Sequence, residues 1–439
     1  MGAALNVGVH GLPATRVGWR SHGLLLLLAL VFADNFVGRQ ILAVMIDPIK
    51  TEFGVGDTAM GLISGLAFAA VYAVLGLPAG RLVDRLPRTR LLALSCLLWA
   101  LATLACGLAG SFLVLAIARM LVAVSESPTT SASLSVIADL YPPHRRSFAI
   151  SCFTAAPTFS SIIGLSIGAW VVEHYGWRSG FIALSLPALL FCVLLAVVRD
   201  PLRGRWDLGS STSATPRQSL GNEARSLWAL PAYRWLILAG GLTTLSSYAI
   251  GMWNTSFLIR SHGLSLQHAG LLAGVICGVA AGIGGLFAGW LNDRLSHRGA
   301  HWQILIPVLG NLTALAALVV YLLWPAGVLS VWAGVPIPVA MLWCALYSFF
   351  VVWWVAPCYN LVTQLVPASG RGTAMALQTI VSTLLGVGIG PVLTGVCSDL
   401  LLPWWGEESL RYALVLVSLP LLGAVGLLGR VAVHAGRQG

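Results

Sequence analysis

The chain has 439 residues, of which 58% are hydrophobic and only 9% are charged, and its formal net charge is +10 at pH 7. A water-soluble domain carries roughly 25% charged residues, because its surface must face water. The composition therefore predicts an integral membrane protein and excludes a soluble enzyme, a nucleic-acid-binding protein and a disordered chain.

Long apolar stretches recur along the whole chain. A membrane-spanning helix needs about 20 mainly apolar residues, and these stretches are too long for strands and lack a period-two alternation. They predict an all-α integral membrane protein with twelve transmembrane helices. The predicted spans, numbered 1 to 12, cover residues 23–46, 58–80, 90–110, 112–138, 148–172, 177–198, 234–259, 268–291, 302–324, 337–363, 372–400 and 410–433.

Basic residues are distributed unevenly between the two ends of the spans. If the N-terminus is cytoplasmic, 19 of the 25 basic residues fall in inner loops and only four in outer loops. Cytoplasmic loops of membrane proteins are enriched in Lys and Arg. We therefore predict an inner-membrane protein with both termini in the cytoplasm, and we call that side the inner face.

The twelve spans form a duplicated unit of six. The longest polar gap, Arg199–Tyr233, divides them equally, and Gly80–Leu86 reappears as Gly289–Leu295 at an offset of 209 residues. Two further pairs share this offset: Gly54 with Gly263, and Gly61 with Gly270. A repeated unit in the same membrane orientation is a parallel repeat. It predicts two pseudo-symmetric six-helix bundles.

The predicted domain organisation follows from this division. The two bundles carry the apolar spans, and the polar segments connect and flank them. The predicted parts are a cytoplasmic tail over 1–22, an N-terminal bundle over 23–198, a cytoplasmic linker over 199–233, a C-terminal bundle over 234–433 and a tail over 434–439.

The loop after span 2 carries a motif of a known family. Gly80–Arg88 fits the pattern G-x-L-x-D-R-x-x-R, although Pro87 stands where a glycine is usual. The chain thereby resembles the major facilitator superfamily over nearly its whole length. Within that superfamily it resembles the Spinster-like branch in four stretches: Pro48–Gly54, Ala118–Glu126, Ile137–Pro142 and Arg199–Gly204.

The resemblance implies a secondary transporter in which two six-helix halves rock around a central cavity. Spinster-like proteins are associated with lysolipids and sphingoid-type amphiphiles, and with proton coupling. Organic-anion symporters of the same superfamily share the spacing of Arg119 and Glu126. An anionic amphiphile is therefore the expected substrate class, and a proton-coupled organic-anion symporter is the alternative.

Four charged residues lie inside predicted spans, away from the span ends: Asp34 and Arg39 on span 1, and Arg119 and Glu126 on span 4. Each costs about 2.5–3.5 kcal/mol on insertion scales, so each needs a partner or a water-filled cavity. We hypothesise that Glu126 is the proton-responsive group, with Arg119 as its partner, because two helical turns place both on one face. Arg39 would bind an anionic head group. The alternative is a permanently paired cluster that only holds the helices together.

Span 1 departs from the Spinster-like pattern. Those proteins usually carry an Asp-Arg pair there, and the matching residues are Gly38 and Arg39. Asp34 lies four residues earlier, about 6 Å along the helix and on roughly the same face. We expect Asp34 to replace the missing carboxylate; the alternative is that span 1 takes no part in proton movement.

The C-terminal half offers polar but uncharged candidates for lining a central cavity. Tyr248 among them occupies the repeat position of Arg39, although aromatic residues at such positions also serve as ordinary core residues. The candidates are Tyr248, Trp253, Asn254, Tyr359, Asn360 and Gln378.

Charges of both signs gather at the inner ends of the spans. Such charges can pair when the inner side closes, and the resemblance implies that this network stabilises the outward-open state. The predicted gating residues are Asp84, Arg85, Arg88, Asp139, Arg145, Arg146, Asp293, Arg294 and Arg371.

Other mechanisms lack the residues that they need. The sequence has no GxxxxGK[ST] loop for ATP and no constellation of nucleophile, base and metal ligands. We therefore expect no enzymatic activity and no cofactor, with a proton gradient as the driving force. The expected partners are the lipid bilayer and a small or lipid-like substrate, and the expected state is a monomer. An uncoupled facilitator, a channel and a membrane enzyme are more remote alternatives.

Overall fold

The computed structural model describes residues 18–204, 220–299, 301–366 and 371–436. Segments of π-helix cover Ala273–Cys277 and Thr383–Ile389, and 3₁₀ turns cover Val352–Trp354 and Gly406–Glu408. The α-helices are α1 (Trp19–Phe53), α2 (Asp57–Ser64), α3 (Leu66–Arg85), α4 (Arg88–Gly107), α5 (Phe112–Glu126), α6 (Thr129–Leu140), α7 (Pro143–Thr154), α8 (Ala156–Val197), α9 (Leu220–Ala229), α10 (Pro231–His262), α11 (Leu266–Leu272), α12 (Gly278–Ser296), α13 (Trp302–Leu323), α14 (Ala340–Val351), α15 (Val355–Leu365), α16 (Arg371–Ser382), α17 (Gly390–Trp405), α18 (Ser409–Ser418) and α19 (Pro420–Gly436).

These helices form the twelve predicted spans. Within the described residues, ten helical stretches are long and apolar enough to cross a membrane, and Phe148–Val197 and Thr373–His434 each contain two predicted spans. Gly176, with φ of 80°, separates spans 5 and 6 inside α8, and Gly406, with φ of 53°, separates spans 11 and 12. Glycine permits this left-handed backbone at little cost. The fold is therefore that of two six-helix bundles, as predicted.

Parts of the predicted tails and linker lie outside the described residues, namely 1–17, 205–219 and 437–439. The described end of the predicted N-terminal tail is helical, because α1 begins at Trp19. The described part of the linker contains the helix α9, which comes directly before α10. The predicted domain boundaries otherwise stay predictions.

A β-hairpin between spans 9 and 10 was not expected from the sequence. Strands β1 (Val328–Trp332) and β2 (Val335–Pro338) pair antiparallel. Ala333 and Gly334 connect them with φ of 49° and 82°, and two positive φ values match the twist of a two-residue hairpin turn. Predicted span 10 therefore starts too early, since α14 begins at Ala340.

The environments of several glycines repeat between the two halves. Gly54 and Gly263 follow α1 and α10 with φ of 62° and 65°, so both end their helix in the left-handed conformation. A Cβ atom on Gly61 would lie 2.5 Å from the Pro391 carbonyl oxygen. One on Gly270 would lie 2.3 Å from the Cβ atom of Ala169. Span 2 thus crosses span 11, and span 8 crosses span 5, at backbone contact.

We expect Gly61→Ala and Gly270→Ala to lower the apparent melting temperature of the purified protein. Each added methyl group meets the opposite half, and overpacking of this kind costs about 1–3 kcal/mol. Gly76→Ala and Gly285→Ala are matched controls, because they also share the 209-residue offset and a Cβ atom there meets nothing within 4 Å. Thermal unfolding in detergent checks this; equal effects of all four substitutions would contradict the close crossings.

Candidate functional site

A cavity of about 230 Å³ lies between the two halves. The sequence identified three of its lining residues, Arg39, Arg119 and Tyr248, because charge or repeat position marked them. The others are uncharged side chains on apolar helices, which no local pattern distinguishes. They are Gln40, Ser64, Phe68, Ser247, Gly251, Met252, Val387 and Pro391.

Glu126, the last residue of α5, forms an ion pair with Arg39 of α1. Arg39 donates from Nε and Nη2 to the same oxygen, Oε2, at 2.8 and 2.5 Å. The other oxygen, Oε1, accepts a hydrogen bond from Nε1 of Trp99 at 3.0 Å. The Glu126 side chain is only 2% exposed. A buried carboxylate is costly unless it is paired and hydrogen-bonded, and here both of its oxygens have donors.

Aromatic rings surround the guanidinium group of Arg39. Its Cζ atom lies 4.9, 4.7 and 5.4 Å from the ring centroids of Phe36, Phe68 and Tyr72. A cation over an aromatic face is stabilised by the ring quadrupole. The rings and Glu126 together hold this charge at the cavity wall.

Arg119 does not pair with Glu126, contrary to the sequence-based hypothesis. Seven residues correspond to about 10 Å along a helix, and Glu126 pairs instead with Arg39 of α1. It is 3% exposed and donates from Nη1 to the Gly38 carbonyl oxygen at 3.3 Å. Its Nε has no hydrogen-bond partner, and no acidic residue pairs with it, anywhere in the described chain.

Asp34 and Gly38 lie on α1, the helix that supplies Arg39 to the ion pair with Glu126. Asp34 is half-buried, and its carboxylate interacts electrostatically with that of Glu126. A Cβ atom on Gly38 would lie only 2.7 Å from Cζ2 of Trp99. An aspartate at position 38 therefore has no space while the indole of Trp99 is in place. Replacement of the missing carboxylate by Asp34 stays a prediction.

Two of the aromatic and amide candidates in the C-terminal half are buried in its core and do not line this cavity. Trp253 is completely buried and donates from Nε1 to the Pro391 carbonyl oxygen at 3.1 Å. Asn254 is 5% exposed and accepts a hydrogen bond from the Tyr321 hydroxyl at 2.6 Å. Their polar atoms satisfy partners inside the bundle, which a sequence pattern cannot distinguish from a cavity position.

The last three candidates stand apart from the cavity lining. Tyr359 is half-buried and shares a hydrogen bond with Thr379, and Asn360 is half-buried. Gln378 is completely buried, and neither polar atom of its side chain has a partner among the described residues. Tyr248 is therefore the one candidate of the six that lines the cavity.

At the inner face, Arg88 and Asp139 come together within the N-terminal half. Arg88 is 1% exposed and forms ion pairs with Asp139 and Asp200. Arg203 donates to three carbonyl oxygens at the end of α3, including that of Asp84, where helical partners are lacking. Asp200 and Arg203 thus bind the segment after span 6 to the loop after span 2, which carries the Gly80–Arg88 motif. The sequence did not indicate this role.

The other predicted gating residues form no ion pair in the part of the chain that the structure describes. Arg146 donates to the Ala138 carbonyl oxygen at 2.8 Å. The remaining members are exposed: Asp84, Arg85, Arg145, Asp293, Arg294 and Arg371. Their pairing across the halves when the inner side closes therefore stays a prediction.

The outer face carries an ion-pair network that the sequence did not predict. Asp57, which is 2% exposed, pairs with Lys50 at 2.7 Å within the N-terminal half. Arg260 of the C-terminal half pairs with Asp57 at 2.7 Å and with Asp47 at 2.5 Å. These charges lie at the ends of spans 1, 2 and 7, where the sequence does not distinguish them from solvent-exposed loop charges.

Two residues of α17 complete this outer network. Asp399 accepts hydrogen bonds from the backbone N–H groups of Asp57 and Thr58 at 2.9 and 2.8 Å. A carboxylate at a helix N-terminus satisfies unpaired N–H groups and complements the helix dipole. The Ser398 hydroxyl donates to Asp57 Oδ2 at 2.7 Å. Together with the glycine crossings, these contacts close the outer side between the halves.

Similarity to known proteins extends over most of the chain. Residues 28–391 match the family model described as Major Facilitator Superfamily. An MFS-type efflux pump of Mycolicibacterium smegmatis (strain ATCC 700084 / mc(2)155) is 28% identical over 415 residues, which is 93% of this chain and 92% of that protein. Protein spinster homolog 1 of Homo sapiens is 26% identical over 422 residues, 91% of this chain and 77% of that protein.

A solved structure shares the fold. It is the crystal structure of a bacterial homologue of the human lysosomal transporter Spinster, in an inward-facing and unoccupied conformation. The TM-score is 0.84 at 24% sequence identity, and the alignment covers 94% of this chain and 97% of that chain. The resemblance to Spinster-like proteins read from the sequence is thereby confirmed at the level of fold.

We expect Arg260→Gln to open the outer side of the protein. The substitution removes the ion pairs between the halves, and a hydrogen bond to a charged group contributes about 1.5–3 kcal/mol. Backbone amides of Asp57 and Thr58 should then exchange with deuterium roughly tenfold faster or more. Arg178→Gln is the matched control, because Arg178 pairs with Glu52 inside one half. Equal exchange in both variants would contradict an outer lock.

Proposed function

Because this chain belongs to the Major Facilitator Superfamily, a family of secondary transporters, we propose that it moves an anionic amphiphile across the membrane by alternating access, coupled to protons. The observation that carries this proposal is Arg119, a buried cation that faces the cavity without an acidic partner in the described chain. The two arginines and the apolar cavity wall support the substrate class. Glu126 supports the coupling.

An anionic group of the substrate would complete the surroundings of Arg119. Its Nε is buried without a hydrogen-bond partner among the described residues, and leaving a buried charge uncompensated costs several kcal/mol. A planar guanidinium group binds phosphate or carboxylate with two parallel hydrogen bonds. Phe68, Met252 and Val387 line the same cavity and would contact the apolar part of an amphiphile.

Proton uptake by Glu126 would link the gradient to substrate binding. A proton neutralises the carboxylate and so weakens its ion pair with Arg39. Arg39 lines the cavity and would then be available to the substrate anion. Proton binding and anion binding would thus favour each other, and this coupling is reciprocal. Asp34 offers a second carboxylate, on the helix that carries Arg39.

We also propose that the protein lies in the inner membrane as a monomer with cytoplasmic termini. The distribution of 19 of the 25 basic residues to one face supports this orientation. Labelling of cysteines introduced at each face with a membrane-impermeant thiol reagent checks the orientation. Reaction of an inner-face cysteine in intact cells would reverse it.

We expect Glu126→Gln to abolish flux driven by a pH gradient while retaining gradient-independent exchange. The amide keeps the shape of the carboxylate but cannot take up a proton. The measurement is flux in proteoliposomes with lysolipids, sphingoid phosphates and small organic anions as substrates. If wild-type flux ignores the gradient and the variant is unimpaired, the protein is an uncoupled facilitator.

We expect Arg119→Gln to weaken binding of the anionic substrate by roughly 10- to 100-fold, since a hydrogen bond to a charged group contributes about 1.5–3 kcal/mol. Substrate-induced thermal stabilisation measures the affinity, and an uncharged analogue of equal chain length is the control. Equal losses for both ligands would contradict anion binding at Arg119. Affinity that does not depend on chain length would favour the organic-anion symporter.

A further inference from the structure

Trp99 of α4 contacts the candidate coupling carboxylate although it does not line the cavity. It is 1% exposed, and its Nε1 donates to Glu126 Oε1 at 3.0 Å. We propose that Trp99 is a positioning residue that holds Glu126 in its ionised form beside Arg39. This inference rests on the proposed role of Glu126 as the proton acceptor.

The division of donors between the two carboxylate oxygens supports this role. Arg39 donates only to Oε2, and Trp99 donates to Oε1. An indole N–H donates hydrogen bonds and cannot accept them. It therefore stabilises the carboxylate more than the carboxylic acid. Removing it would leave Oε1 buried with no donor in the described chain, so the ionised form would lose stability.

Gly38 provides the space in which the indole lies. A Cβ atom there would meet Trp99 Cζ2 at 2.7 Å and Cη2 at 3.6 Å. The carbonyl oxygen of Gly38 also accepts the hydrogen bond from Arg119. The Trp99 ring thus packs against the α1 backbone at Gly38, the residue directly before Arg39. Spans 1, 3 and 4 meet at this point, and a shift of the ring would be felt directly at Glu126.

A packing role alone would leave the protonation of Glu126 unchanged, which provides the test. Infrared difference spectra of the purified protein, recorded from about pH 4 to pH 9, detect the C=O stretch of protonated carboxyl groups. The band that Glu126→Gln removes belongs to Glu126. Trp99→Phe keeps a ring but removes the N–H donor. We expect the ratio of protonated to ionised Glu126 to be roughly tenfold higher in this variant than in the wild type at the same pH, because the ionised form has lost a hydrogen-bond donor.

Trp253→Phe is the matched control for this measurement. It also removes a buried indole hydrogen bond, in this case to a backbone carbonyl oxygen, but it lies in the other half. Its Glu126 band should equal that of the wild type at every pH. If wild-type Glu126 stays ionised throughout, the band should appear in Trp99→Phe but not in Trp253→Phe. A spectrum of Trp99→Phe that matches the control overturns the proposal.

Gly38→Ala provides a second route to the same hydrogen bond. Its methyl group should displace the indole and strengthen the Glu126 band relative to the wild type at the same pH, as Trp99→Phe does. In a Trp99→Leu background the same change should add little, because the ring that it displaces is gone. Equal increases of the band in both backgrounds would contradict the contact between Gly38 and Trp99. None of these readouts requires transport, so a failure of proton-driven flux in the wild type would be recognised separately.

Discussion

Burial of charge in an apolar protein is the constraint on which the site depends. Glu126 is 2% exposed and tolerates this position because Arg39 and Trp99 supply donors to both of its oxygens. The aromatic rings around Arg39 offset part of the cost of the positive charge. Arg119 is buried and lacks such a partner in the described chain, whereas Arg39 is half-buried and paired, and this asymmetry supports the proposal that Arg119 binds an anion.

The same constraint explains how the halves are held at the outer face. Asp57 is buried there, and Lys50, Arg260 and Ser398 surround its carboxylate. These partners come from both halves, so separating the halves would remove some of the positive charge and hydrogen-bond donors that stabilise the buried carboxylate. The close helix crossings at Gly61 and Gly270 also resist separation of the halves, because the helices pack there without side chains between them. The outer side is thus closed by charge and shape together, whereas the inner charges pair within their own half or are exposed.

The features that sequence could predict are those set by local or periodic patterns. Span positions follow from runs of apolar residues, and the repeat predicted the equivalence of Gly61 and Gly270, which the structure confirms as close crossings. The pattern could not place Trp253 and Asn254 in the core, because a polar atom on an apolar helix can have a partner in the core or face a cavity. It also could not single out Trp99 among 17 tryptophans.

The sequence by itself determined the membrane class, the number of spans, the twofold repeat and the four charges within spans 1 and 4. The membrane class, the spans and the importance of the four charges follow from the cost of placing polar groups in lipid, which acts on every segment separately. The repeat follows from motifs that recur at a fixed offset. The tertiary structure decided which charges meet: Glu126 with Arg39 rather than Arg119, and Arg260 with Asp57 across 203 residues of chain. Pairing depends on how the spans cross and on which side chains each crossing brings together, and neither is contained in the pattern of a single segment.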